Sequence, residues 1–264
     1  MIFVAIAIKL LRLLYCKIMN AFMNLELNCD AGEGIANEER LFGYIDSCSI
    51  ACGGHFGNHQ TMTNTVRLGL QNDLNVGAHP SYPDLENFGR KSIEIDRNVL
   101  KRSIKSQIGQ LKAIVDNEGG CLHHIKAHGA LYNDMAASKD LSEVFLESIE
   151  DYKQGLFLFV SYQSEIEKLA IENGFKIKYE AFADRNYNSN LKLVSRQEPN
   201  ALIEDPNQAL EHILMMREEG MVKTIDGDKL PIKADTFCVH GDTASAFKIV
   251  SYIRQAIPNQ KPKH

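Results

Sequence analysis

Apolar, strand-like runs alternate with helix-like segments along almost the whole chain, and this alternation narrows the possible folds more than any other feature. The strand-like runs are residues 24–29, 48–52, 75–79, 121–128, 156–160, 176–183 and 233–240. Helical spacing of apolar residues is read at 58–72, 97–120, 138–152, 164–174, 206–220 and 243–257. In the longest of these, Leu100, Ile104, Ile108, Leu111 and Val115 share a face, and Gly119-Gly120 is the stop. Ser138 is placed to cap the next helix, and Pro206 and Gly220 open and close the fifth. A longer loop occupies 184–205. About seven β-then-α units with no internal linker predict one α/β domain, a parallel sheet covered by helices. A relative of the eight-stranded barrel, an incomplete barrel and an open doubly wound sheet all satisfy that pattern.

Residues 1–22 differ from the rest. They are apolar but carry Lys9, Arg12 and Lys17, and their uncharged run is eight residues long. About 20 are needed to span a bilayer, and no secretory cleavage pattern is present. The expectation is an N-terminal extension from an over-called start, with Met23 as the working initiator and 23–264 as the catalytic domain.

Polar residues gather where strands end. In "NVGAHPSYPD", Pro80 cannot continue the ladder, so His79 sits where a strand stops and a rigid loop begins. The same placement recurs: Asp30 and Glu33 after the first strand, His55 and His59 after the second, Lys126 and His128 at the fourth. It continues with Asp184 and Arg185 at the sixth and His240 and Asp242 at the seventh. Five of the nine histidines fall at strand carboxyl ends. In parallel α/β folds those ends form one face, where active sites lie. His123 and His124 lie mid-strand, His212 on a helix and His264 in the tail; none is assigned a role.

Imidazoles beside carboxylates suit acid–base chemistry, and Lys126 and Arg185 suit an anion or a developing oxyanion. Asp30, His55 and His59 are also a candidate set for a divalent metal, because two imidazoles and a carboxylate leave a coordination position open. No phosphate-binding GxxxxGK[ST] loop, no GxGxxG after a strand and no GxSxG elbow occurs. Net charge is −5 with no basic block, which argues against a nucleic-acid partner. Of the six cysteines, Cys29, Cys48, Cys121 and Cys238 lie in or beside apolar runs and read as buried small hydrophobes. That usage predicts a reducing, cytoplasmic setting with no membrane anchor.

"LNCDAGEG", "SIACGGHFGN", "VGAHPSYPDLENFGR", "KAHGALYN", "EAFADRNY" and "CVHGD", in this order from Leu25 to Asp242, resemble the LamB/YcsF family, the A subunits of 5-oxoprolinase. The resemblance implies a (β/α) barrel-like fold related to polysaccharide deacetylases. It implies a part in ATP-dependent opening of the 5-oxoproline lactam to L-glutamate, with ATP as co-substrate (with Mg) and two further proteins, the B and C subunits, as partners. For such a reaction Asp30 or Glu33 would serve as base. His79, His128 or His240 would donate a proton to the ring nitrogen. Lys126, Asp184, Arg185 and Asp242 would bind substrate or ATP. The family often has "GFHAGDP" where this chain has "GGHFGNH", so an acid is replaced by Asn58 and His59 follows it. Two other roles stay open: a metal-dependent deacetylase or amide hydrolase acting alone, and a non-catalytic substrate-binding subunit.

Overall fold

The structure, a computed structural model, describes residues 25–36 and 38–258; the expected extension at 1–22 lies outside the described residues. The strands are β1 (Leu27–Ala31), β2 (Ser47–Ala51), β3 (Asn75–His79), β4 (His124–Ile125), β5 (Phe157–Val160), β6 (Lys176–Phe182), β7 (Met221–Lys223), β8 (Lys229–Pro231) and β9 (Thr236–Cys238). The helices are α1 (Glu39–Phe42), α2 (His59–Gln71), α3 (Arg97–Asn117), α4 (Gly129–Ala137), α5 (Lys139–Ser148), α6 (Glu165–Glu172), α7 (Pro206–Leu214) and α8 (Ala246–Ala256).

Strands β1 to β6 and β9 pair in parallel and close a seven-stranded barrel. β9 completes the ring by pairing with both β1 and β6, with Leu27 opposite Phe237 and Phe182 opposite Cys238. The barrel expectation is borne out and the open sheet is set aside. β7 and β8 form a separate antiparallel hairpin. The sequence reading left this stretch unassigned, although Asp226-Gly227 between two short runs is a hairpin signal, and Gly227 has the positive φ of +94° that such turns use. Helix α4 was also missed, because it follows His128 without a polar cap.

Alternate residues of each strand face opposite sides. One set turns outward under the helices: Leu27, Cys29, Cys48, Ile50, Val76, Ala78, Ile125, Leu158, Val160 and Phe237 are buried in the apolar core. The other set turns into the barrel and is largely polar. Lys126 reaches Asp30 on β1, Glu180 on β6 and Cys238 on β9, three strands that do not neighbour its own. Below it, Ser49 Oγ meets His124 Nε2 at 3.0 Å, and the His124 ring stacks on Phe159 at 4.1 Å. A side chain at position 77 would stand 2.2 Å from that ring, so Gly77 is required there. Deeper still, Lys178 pairs with Glu26.

The helices begin where the sequence provides oxygens. Asn58 accepts bonds from the Gln60 and Thr61 amides and forms a capping box with Thr61, so the residue at the family's acidic position is the cap of α2. Asp96 caps α3 in the same way. Gln107, buried on α3, accepts from the Ser81 amide and donates to its carbonyl, both at 3.0 Å. That pair fixes the chain after Pro80 and therefore the exit of His79 from the barrel. Cys52 is buried and Cys121 is exposed, the latter contrary to expectation because the chain only enters the sheet at His124. No described cysteine is disulfide-bonded. Among the described residues, no helix is long and apolar enough to cross a membrane.

Candidate active site

Asp30, Glu33, His79, Lys126, His128, Arg185, His240 and Asp242 line one cavity of about 670 Å³ at the carboxyl ends of the barrel strands. The structure therefore brings together most of the residues that the sequence pointed to. Asp184 stands behind His240, accepting from its backbone amide at 2.8 Å and meeting its Nδ1 at 2.9 Å. Asp184 thus positions an imidazole and does not itself line the cavity. His55 stands behind Glu33. His59 is a correction: it is the first residue of α2, exposed, and outside the cluster around His55. The Asn58 cap sets the helix direction and turns the next side chain to solvent.

At the floor, Lys126 Nζ is 2.8 Å from Asp30 Oδ1, 2.8 Å from Glu180 Oε1 and 3.2 Å from Cys238 Sγ. Lys126 was expected to clamp an anion. Its charge is instead spent on two buried carboxylates, as a buried ammonium requires. Burial would lower its pKa, but the facing Asp30 and Glu180 outweigh that and hold it well above the usual lysine value. Burial would likewise raise Asp30; His79 and Lys126 outweigh it and keep this carboxyl well below its ordinary range.

Beside this pair lies a cluster of three imidazoles around one carboxylate. His55 Nε2 is 2.9 Å from Glu33 Oε1, His128 Nδ1 is 3.3 Å and His79 Nε2 3.9 Å from the same oxygen, and His79 Nε2 is 3.3 Å from Asp30 Oδ2. Burial pushes His55 down to about 4 despite the Glu33 carboxylate, so it is a neutral donor. Burial would raise Glu33, but bonds from His128 and His55 reverse the shift, so it is ionised. One ligand atom each from Glu33, His55, His79 and His128 lies within 4.8 Å of the others, a set able to hold a metal ion.

The rim is cationic. Asp242 takes a 2.8 Å bond from Arg90 and a 2.7 Å bond from Arg196. Burial would raise its carboxyl, but Arg196 and Arg90 keep it low. Arg185 spends one nitrogen on the Val194 carbonyl, and its Nε is buried without a hydrogen-bond partner. Glu180, Arg90 and Arg196 were missed by sequence reasoning. Glu180 carried a signal, because a lysine inside an apolar strand demands a buried carboxylate partner. Arg196 carried none, lying in the loop after β6.

The molecule is a closed parallel α/β barrel whose mouth gathers ionised carboxylates and imidazoles, groups suited to acid–base chemistry. The chain belongs to the LamB/YcsF family, whose model matches residues 25–263. It is 40% identical to the A subunit of 5-oxoprolinase from Pyrococcus horikoshii over 246 residues, 91% of this chain and 96% of that one. The same-named protein of Brevibacillus brevis is 38% identical over 238 residues, 88% of this chain and 94% of that one. Among solved structures, the lactam utilization protein of Thermus thermophilus superposes with a TM-score of 0.82 at 33% identity, covering 89% of this chain and 96% of that one.

Proposed function

We propose that this chain is the A subunit of an ATP-dependent 5-oxoprolinase and opens the 5-oxoproline lactam to L-glutamate. One observation carries the reading: a cavity floored by ionised Asp30 and Glu33 beside imidazoles, and rimmed by Arg90, Arg185 and Arg196, in a chain whose relatives bear that name. A lactam is a stabilised amide. Transfer of the ATP γ-phosphoryl group to its oxygen creates a leaving group; water then adds to the carbon, the C–N bond breaks as the nitrogen takes a proton, and the acyl phosphate that remains is hydrolysed by a second water to the carboxylate and phosphate. Asp30 or Glu33 is suited to draw the proton from water, and His79, His128 or His240 to supply one to nitrogen. The rim arginines suit the substrate carboxylate or the phosphate. The B and C subunits would complete the system in a reducing, cytoplasmic setting.

A second reading, a metal-dependent amide hydrolase acting alone, is favoured by the four-donor cluster. Measuring glutamate and ADP from 5-oxoproline and ATP, with this chain alone and with its two partner subunits, separates the readings. Coupled turnover only in the complete mixture supports the subunit role. Amide hydrolysis without ATP by this chain alone would replace it with the second.

A further inference from the structure

The proton positions of two buried histidines are set by backbone carbonyls. His79 Nδ1 lies 2.8 Å from the Lys126 carbonyl oxygen, and His128 Nε2 lies 3.0 Å from that of Phe88. A carbonyl oxygen only accepts, so those nitrogens carry the ring protons. In the neutral rings the opposite nitrogens, His79 Nε2 and His128 Nδ1, carry the lone pairs; they face each other at 3.0 Å, and His79 Nε2 also lies 3.3 Å from Asp30 Oδ2. Glu33 Oε1 completes a triangle, 3.3 Å from His128 and 3.9 Å from His79. Three such atoms repel unless a cation lies among them: a shared proton, as in the His128–Glu33 bond, or a metal ion that replaces it. Ligands held tetrahedrally at about 2.0–2.1 Å from zinc stand about 3.3 Å apart, the spacing this triangle brackets.

From this geometry we propose that Glu33, His79 and His128 bind a divalent transition-metal ion, zinc by the nature of the donors, with a coordination position open to the cavity. All three line that cavity, whereas His59 is remote from it. The carbonyls on the outer imidazole nitrogens are the partners that orient metal-ligating histidines. Phe88 takes a left-handed φ of +54° to offer its carbonyl, a strained conformation for a bulky residue. Gly129, at φ +56°, has no room for a side chain, because a Cβ there would lie 2.6 Å from the Gly89 oxygen. His55 donates to Glu33 and stacks on His128 with ring centres 3.6 Å apart, which makes it a positioning residue for two ligands. Bound there, the ion supplies a Lewis acid suited to an amide carbonyl oxygen.

The test needs neither ATP nor partner subunits, so its failure is distinguishable from failure of the lactam assay. The full chain, purified without chelators, is analysed for metal, stripped with EDTA and titrated calorimetrically with zinc alone at neutral pH. Cobalt gives a second readout through its visible absorption. Stoichiometric uptake is expected in the wild type and in His59→Ala. Glu33→Gln and His128→Gln should lose more than the roughly 10- to 100-fold that removal of an outer partner costs. Near-UV circular dichroism checks the stripped variants; Glu33→Gln preserves shape and carries the test if His128→Gln does not fold. Stripped wild type that takes up no zinc at millimolar concentration overturns the proposal. So does unchanged affinity in a folded Glu33→Gln, or loss of binding in His59→Ala.

Discussion

The inside of the barrel and the layer outside it are built on opposite principles from the same strands. Outside, Ile50, Val76, Ile125 and Val160 meet the apolar faces of helices such as Ile104, Ile108 and Leu111 on α3. Inside, Asn28, Ser49, His124, Lys126, Lys178 and Glu180 form a stack of hydrogen bonds and ion pairs. The interiors of eight-stranded α/β barrels are commonly filled by branched apolar side chains. Here folding energy comes from the outer layer, and the interior is given over to holding charges in place under the cavity. Residue alternation along a strand lets both designs coexist, one on each face.

The contrast can be broken most severely at Lys126. Lys126→Met leaves Asp30 and Glu180 buried without their cation and should cost about 3–5 kcal/mol. Urea denaturation of the variant measures this, and lactam turnover should be lost with it. Ile108→Ala, in the outer layer, should cost about 2–5 kcal/mol in the same titration, while turnover per folded molecule stays at the wild-type value. If both variants lost stability and turnover alike, the two faces would not be independent.

Asp30→Asn keeps the shape of the floor and removes one negative charge. Turnover in the complete mixture should fall roughly 10²- to 10⁴-fold while the protein stays folded. A turnover within a few-fold of wild type would take Asp30 out of the chemistry.

The outer layer also holds a titrating group. His212, buried on α7, is pushed down to about 4 by burial from an ordinary 6.5. Between those values the unfolded chain binds a proton that the folded chain refuses, so stability rises with pH across the window. Its contribution is fully present above pH 6.5 and is lost as pH falls toward 4, by on the order of 3 kcal/mol. Denaturant midpoints measured across this range should slope less in His212→Gln; an unchanged slope would show that other groups set the acid limit.

The smallest effect is expected at the rim. Arg196 is partly exposed and shares Asp242 with Arg90. Arg196→Ala should raise KM for the anionic substrate about 10-fold with little change in kcat. A fall in kcat at unchanged KM would move Arg196 from binding to chemistry.

The chain's own order of residues determined the alternation, a parallel sheet covered by helices and the face at which the polar residues gather. These follow from local periodicity, from prolines and glycines at element ends, and from the rule that strand carboxyl ends share one side. Asp30, Glu33, His79 and His128 were legible in that way. The partnerships were not. That Lys126 is neutralised by Asp30 and Glu180 and that Asp184 serves His240 both depend on barrel closure. Closure places strands far apart in sequence face to face, and their relative heights are set by pairing and packing over the whole ring. Hydrogen-bond direction at His79 and His128 goes further still, because it depends on two carbonyls, Lys126 and Phe88, contributed by other segments. Residue types and spacing name the donors; only the folded chain decides which lone pairs meet.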